Sequence, residues 1–173
     1  NYIDCKQDYS GQGTDQLSNV LHLIKNDPHS RRIIINLWNA STLNKAALPA
    51  CLCMYQFYVN TQKNKLNLQI YIRSSDFFLA NNWNICTGAL LVHMICKLND
   101  INLTPGTLTV VTGDTHIYNS HKKQVIENLN RIPRPFPKLL IKETKNNLQE
   151  FKFDDIILID YNPYKNISAP MAV

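Results

Sequence analysis

The stretch from Leu66 to Arg73 constrains this chain more than any other. Leu66, Leu68, Ile70 and Ile72 alternate with Asn67, Gln69, Tyr71 and Arg73. A period of two marks a β-strand with one apolar and one polar face. The apolar face needs a layer to lie on, so the chain is expected to fold around a sheet backed by other elements. The same alternation turns Arg73 away from the apolar layer, toward whatever polar cleft Gln69 and Tyr71 line.

Neighbouring segments fill out the sheet and its cover. Tyr55 to Val59 reads as a strand joined to the first by the polar turn Asn60 to Lys65, and Ile33 to Leu37 as a short β-branched strand. Thr14 is placed to cap a helix whose apolar stripe is Leu17, Val20, Leu21 and Ile24. Asp27-Pro28 ends it, because a residue before proline disfavours helical geometry. Asn84 to Leu98 reads as a second helix, burying Ile85, Leu91, Met94, Ile95 and Leu98. Leu108 to Thr112, Lys138 to Lys142 and Ile156 to Ile159 read as strands, and His121 to Asn130 as a short helix. The pattern predicts an α+β fold, a large mixed β-sheet flanked by helices, in a single domain spanning 1–173. The 173 residues suffice for a core without disulfides or metal. The opening at Asn1, without an initiator methionine, gives the expectation of a piece of a longer protein.

Composition narrows the partners. With 45% apolar and 18% charged residues the chain reads as an ordinary globular domain, and no run approaches a membrane span, so no membrane partner is expected. The net charge of +5 suits an anionic ligand, while no long Lys/Arg run marks a nucleic-acid surface. Five cysteines at irregular spacing (Cys5, Cys51, Cys53, Cys86, Cys96) fit neither a disulfide framework nor a zinc site. A reducing, cytoplasmic compartment is expected, with at least one thiol available for chemistry.

Five places hold residues suited to chemistry. Cys51 follows the rigid turn of Leu48-Pro49-Ala50, which can present a thiol at a strand edge to a cleft. Arg73-Ser74-Ser75-Asp76 combines a planar donor fork with hydroxyls, a set that suits a phosphate. Arg31-Arg32 could clamp a phosphate as well, or pair at the surface. Asn84 stands where a helix begins, so capping is its ordinary role; its carboxamide could also pair with N3–H and O4 of a uracil ring. His116 and Tyr118, in Gly113-Asp114-Thr115-His116-Ile117-Tyr118, fall on one side of an extended segment and could both reach a sugar hydroxyl.

Taken in order, these stretches resemble the thymidylate synthase family. The resemblance runs through Asp8-Tyr9-Ser10-Gly11-Gln12-Gly13, Ser30-Arg31-Arg32-Ile33-Ile34, Leu37-Trp38-Asn39, Ala47-Leu48-Pro49-Ala50-Cys51 and Gln56-Phe57-Tyr58-Val59. It continues through Tyr71-Ile72-Arg73-Ser74-Ser75-Asp76, Asn84-Ile85, the His116/Tyr118 segment, Arg131-Ile132-Pro133-Arg134-Pro135-Phe136-Pro137-Lys138-Leu139 and Met171-Ala172-Val173. It implies methylation of dUMP to dTMP, with 5,10-methylenetetrahydrofolate as carbon and hydride donor and no metal. By resemblance, Cys51 adds to carbon 6 of uracil, and Arg73 holds the phosphate and favours the thiolate. Ser74 and Ser75 join the substrate contacts, and Asp76 touches both pyrimidine and folate. Asn84 reads uracil, and His116 with Tyr118 binds the ribose. Ala80 and Ala172 lie at the folate. Arg31 and Arg32 reach the phosphate of a partner subunit, which implies a homodimer with shared active sites formed by stacking of the large sheets.

The family pattern also has an N-terminal part, expected upstream of Asn1 in the longer protein, and an upstream dihydrofolate reductase domain is expected if the chain comes from a bifunctional protein. Leu52, Ile72 and Ala80-Asn81-Asn82-Trp83 depart from the pattern, the last from a Gly-x-Pro-Phe turn. An alanine there is expected to crowd a bound ring or to demand a different backbone angle. Two alternatives stand beside the synthase: a catalytically weak nucleotide- or RNA-binding relative, and a dCMP hydroxymethylase, which carries an acidic residue in place of Asn84.

Overall fold

A computed structural model describes residue 11 and residues 13–171. Helix α1 (Gln16–Asn26) is capped by Asp15, one residue after the expected Thr14, and the Asp15 carboxylate accepts from the Ser18 N–H at 3.0 Å. Aspartate is the stronger acceptor for the orphan N–H groups of a first turn. Strands β1 (Ile34–Asn36), β2 (Leu52–Asn60), β3 (Lys65–Asp76) and β4 (Thr104–His116) form one mixed sheet in the order β1-β2-β3-β4. The first three are antiparallel; β3 and β4 run parallel, joined by a crossover through helix α2 (Asn81–Ile95). Helix α3 (Lys122–Leu129) follows β4. Strands β5 (Lys138–Ile141) and β6 (Ile156–Ile159) pair with each other in a separate two-stranded sheet.

The alternation in β3 decides where the core lies. Leu66, Leu68, Ile70 and Ile72 are all essentially inaccessible to water and pack with Tyr55, Phe57 and Val59 of β2, Val20 and Ile24 of α1, and Val92 and Ile95 of α2. Burying each such side chain is worth about 1.5–3 kcal/mol. The Ile/Leu face of β3 is therefore this chain's own core. The opposite face, with Gln56, Tyr58, Gln69, Tyr71, Thr109 and Val111, is covered by none of the described residues, and Tyr58 is 63% exposed. Gly88 lets α2 sit close to the sheet, since a Cβ there would stand 3.3 Å from Leu68. No helix among the described residues is long and apolar enough to cross a membrane.

Candidate active site

Strand directions bring the site together. β2 is antiparallel to β3 and β3 parallel to β4, so the start of β2 and the ends of β3 and β4 share one edge of the sheet. Cys51 immediately precedes β2, Arg73 to Asp76 close β3, and His116 closes β4 in register with Asp76. The Arg73 N–H donates to the Cys51 carbonyl at 2.8 Å. Just beyond, Leu52 pairs with Ile72 but Met54 with Tyr71, so Cys53 is an extra residue on β2. A bulge of this kind bends its strand and re-aims the side chains beside it.

Arg73 is held in place. Its Nε donates to the Ala50 carbonyl and its Nη2 to the Pro49 carbonyl, both at 2.9 Å. Nη2 also lies 4.0 Å from Cys51 Sγ, the outer limit of an N–H···S contact. The guanidinium rests 5.3 Å from the centre of the Trp38 ring. The two Nη1 donors have no protein partner among the described residues and are available to an anion. Arg73 is thus packed between the Pro49–Cys51 turn and the Trp38 ring.

Gly113 of β4 makes this edge possible. A Cβ there would stand 2.8 Å from the Arg73 carbonyl and 3.2 Å from the Tyr71 hydroxyl, closer than the strands can tolerate without moving. Gly113→Ala is expected to destabilise the protein by about 1–3 kcal/mol. Calorimetry would read this as a fall in Tm of roughly 2–4 °C per kcal/mol.

The remaining residues divide by placement. Asp76 Oδ1 accepts from the N–H groups of Phe78 and Leu79, both at 3.1 Å, which shapes the turn into α2 and leaves its second oxygen free among the described residues. His116 Nδ1 lies 2.6 Å from Asp114 Oδ1. A carboxylate only accepts, so Nδ1 carries a proton, and Nε2 is left for another partner such as a hydroxyl. Tyr118 meets the His116 ring edge-on at 4.9 Å. Ser74 is half-buried in register with Asp114.

Several sequence expectations are corrected by the geometry. Asn84 does not cap its helix: α2 begins at Asn81 after Ala80, and the Asn84 side chain, one turn in, has no protein partner among the described residues. Ser75 is fully buried, and its hydroxyl donates to Asn81 Oδ1 at 3.2 Å, so it faces the core rather than a ligand. The burial pattern of β3 slips after Ile72, which puts Ser75 on the inner side. Arg31 and Arg32, expected to serve a partner subunit rather than this chain's own site, are exposed, Arg31 beside Tyr58 and Asn60, at the opposite end of β2 from Cys51 and about 20 Å away at the rise of a strand. Ala80 has φ −96° and ψ −28°, a backbone that alanine adopts without strain, so the expected demand for another angle is absent. Ala172, Cys5 and most of the segment 8–13 lie outside the described residues. Sequence reasoning gave no role to Trp38 or Asp114. The spacing of Asp114 two residues before His116 on an extended segment was the signal for the second.

Leu48, Trp83 and Ile117 are exposed apolar side chains, each within three residues of Cys51, Asn84 or His116. The free Asp76 oxygen could accept from a ring N–H.

Cys96 is a useful contrast. Among the described residues Cys51, Cys53, Cys86 and Cys96 are all unpaired, but burial pushes the Cys96 thiol up to about 11. The thiolate is the reactive form, so Cys96 is expected to stay unlabelled by iodoacetamide at pH 8. Its labelling should accelerate about tenfold per pH unit up to its pKa; peptide mass spectrometry reads this directly.

Fold and site together define an α+β domain that carries a cysteine beside an arginine fork at the edge of a mixed sheet. The chain belongs to the thymidylate synthase family, whose profile matches residues 3–173. It is 40% identical over 179 residues to thymidylate synthase of Saccharomyces cerevisiae and 43% identical over 172 residues to that of Human herpesvirus 8, covering 99% of this chain and 58% and 50% of those proteins. It is 42% identical over 172 residues to a bifunctional dihydrofolate reductase-thymidylate synthase of Zea mays, covering 99% of this chain and 32% of that protein. The chain thus spans between about a third and three fifths of the length of these relatives.

Proposed function

We propose that this protein methylates dUMP to dTMP with 5,10-methylenetetrahydrofolate as co-substrate. The observation that carries the reading is the Arg73 Nη2 to Cys51 Sγ distance of 4.0 Å, on the sheet edge shared with Asp76 and His116. In this reading the Nη1 donors of Arg73 and the Ser74 hydroxyl hold the phosphate. His116 Nε2 and the Tyr118 hydroxyl hold the ribose, and the Asn84 carboxamide pairs with N3–H and O4 of the base. Cys51 Sγ then bonds to carbon 6, and the displaced electron pair makes carbon 5 an enolate carbon. The folate supplies the one-carbon unit and the hydride. Loss of the proton on carbon 5 and cleavage of the Sγ–carbon bond return Cys51. Asp76, with one oxygen fixed by the turn, offers the other to a ring N–H of base or folate. Asparagine at 84 suits uracil over cytosine, because cytosine presents a donor where uracil presents an acceptor.

The uncovered sheet face supports a homodimer stacked through Gln56, Tyr58, Gln69, Tyr71 and Val111. The distance of Arg31 and Arg32 from this chain's own Cys51 supports their service to a partner's phosphate site. A dihydrofolate reductase domain upstream is part of the proposal, since relatives from Zea mays and Paramecium tetraurelia are named as bifunctional. The unpaired cysteines suit a reducing cytoplasm.

Incubating the full-length protein with 5-fluoro-dUMP and methylenetetrahydrofolate tests the reading, because fluorine cannot leave as the proton does. A stable adduct on Cys51, found by peptide mass spectrometry, is expected. Its absence overturns the proposed chemistry, and turnover of dCMP in place of dUMP overturns the role given to Asn84.

A further inference from the structure

From the geometry around His121, we infer that this residue positions the segment 161–171 by hydrogen-bonding the Pro170 carbonyl, and that it links this segment to the nucleoside-binding strand end. The inference rests on the proposed synthase function for its kinetic part only.

Residues 161–171 contain no helix or strand, so their backbone groups have no ladder to satisfy them. Side chains just before and just after α3 do that work instead. Arg131 donates to the Lys165 carbonyl at 2.7 Å, and Arg134 to the Asn162 carbonyl and side chain at 2.9 and 2.6 Å. Both guanidinium groups lie over the Tyr164 ring, Arg134 at 3.9 Å and Arg131 at 5.3 Å from its centre, and the Tyr164 hydroxyl donates to the Ile132 carbonyl at 3.0 Å. His121 is the hook furthest along the segment, with Nε2 2.7 Å from the Pro170 oxygen.

That bond fixes the state of the ring. A carbonyl only accepts, so Nε2 carries a hydrogen. Nδ1 is buried with no partner among the described residues, and His121 is fully buried. The bond from Nε2 to Pro170 is therefore the ring's one hydrogen bond among the described residues. A side chain with one nitrogen left unsatisfied in the interior is there for the bond that the other makes.

His121 also touches both strand ends of the site. Tyr118 packs against it at 5.5 Å, at 73° to the ring plane, and Phe78 at 5.7 Å. Tyr118 leads back to His116, and Phe78 to Asp76 through its N–H bond to the carboxylate. One buried imidazole thus joins the ribose-facing pair, the Asp76 turn and the last held carbonyl before Met171.

Two amide variants of the full-length protein separate a positioned donor from mere filling. The amide nitrogen of glutamine can occupy the place of Nε2, whereas that of asparagine reaches only the place of Nδ1. His121→Asn is expected to be cut within 161–171 at least fivefold faster by a non-specific protease, read by mass spectrometry, and His121→Gln less than twofold faster than the parent. In turnover, His121→Asn is expected to raise KM for the folate about tenfold while the dUMP dissociation constant stays within threefold, with His121→Gln near the parent. Equal behaviour of the two variants, or equal losses for folate and dUMP, overturns the inference. Should His121→Asn fail to fold, cleavage of the His121→Gln segment at least fivefold faster than the parent's overturns it alone. The proteolysis needs no substrate, so it decides the positioning role even if the synthase reading fails.

Discussion

Replacing Cys51 by serine is expected to remove at least about a thousandfold of kcat while leaving the fold intact, because a serine oxygen at its ordinary pKa is a far weaker nucleophile than a thiolate. Cys51 is half-buried at the turn before β2 and bonds the rest of the protein through its backbone carbonyl, which Arg73 N–H holds whatever the side chain. The substitution therefore leaves Arg73 on its two carbonyl anchors, and dUMP should bind within a few-fold of the parent. A matching substitution of Cys53 separates position from chemistry. The Cys53 thiol lies 3.8 and 3.7 Å from the Ala50 and Cys51 carbonyls, turned back over the same loop. If Cys53→Ser lost as much activity as Cys51→Ser, or if Cys51→Ser kept measurable turnover and still formed the 5-fluoro-dUMP adduct, the nucleophile would have to be sought elsewhere. Steady-state kinetics and peptide mapping of the adduct check both.

What the sequence revealed and what it hid follow one division. Periodic features were legible, because they are set by burial within a single element. The apolar positions of β3 fell where the alternation put them, and the hairpin β2–β3 closed over its polar turn, where Asn64 takes the left-handed backbone (φ +50°) that asparagine tolerates well. Features set by neighbours were hidden. Nothing in the composition of β4 says that it lies parallel to β3, yet that pairing places His116 beside Asp76. The inward slip at Ser75 is decided by Asn81, a residue on the next helix, and no local pattern announces it. Helix α2 starts three residues earlier than Asn84 because Asp76, not an asparagine cap, organises the turn ahead of it. The candidate residues themselves were recognised by their order along the chain. Their relation to one another (Arg73 braced on the turn that carries Cys51) came only from the fold.

That bracing makes Arg73 the second residue whose loss should be severe, and it predicts how. Arg73 spans three acceptors at once: the Ala50 carbonyl, the Pro49 carbonyl and, through Nη1, the phosphate that the proposed function places there. Lysine keeps the charge but concentrates its donors at one point on a flexible stem, so it cannot hold both carbonyls and reach an anion. Arg73→Lys is expected to lower kcat/KM for dUMP by about a hundredfold, near the few kcal/mol that charge-assisted hydrogen bonds carry. The loss should fall on both parameters: KM rises because the phosphate loses its fork, and kcat falls because the turn presenting Cys51 loses two of its anchors. A purely electrostatic Arg73 would behave otherwise, since lysine would then restore activity to within about tenfold of the parent. Adding inorganic phosphate distinguishes the two roles further. If Arg73 is both brace and fork, phosphate competes with dUMP weakly in Arg73→Lys and strongly in the parent, while the rate of adduct formation at saturating 5-fluoro-dUMP remains depressed in the variant. Full recovery of that rate at saturation would confine Arg73 to substrate binding and leave the Pro49–Cys51 turn to hold itself.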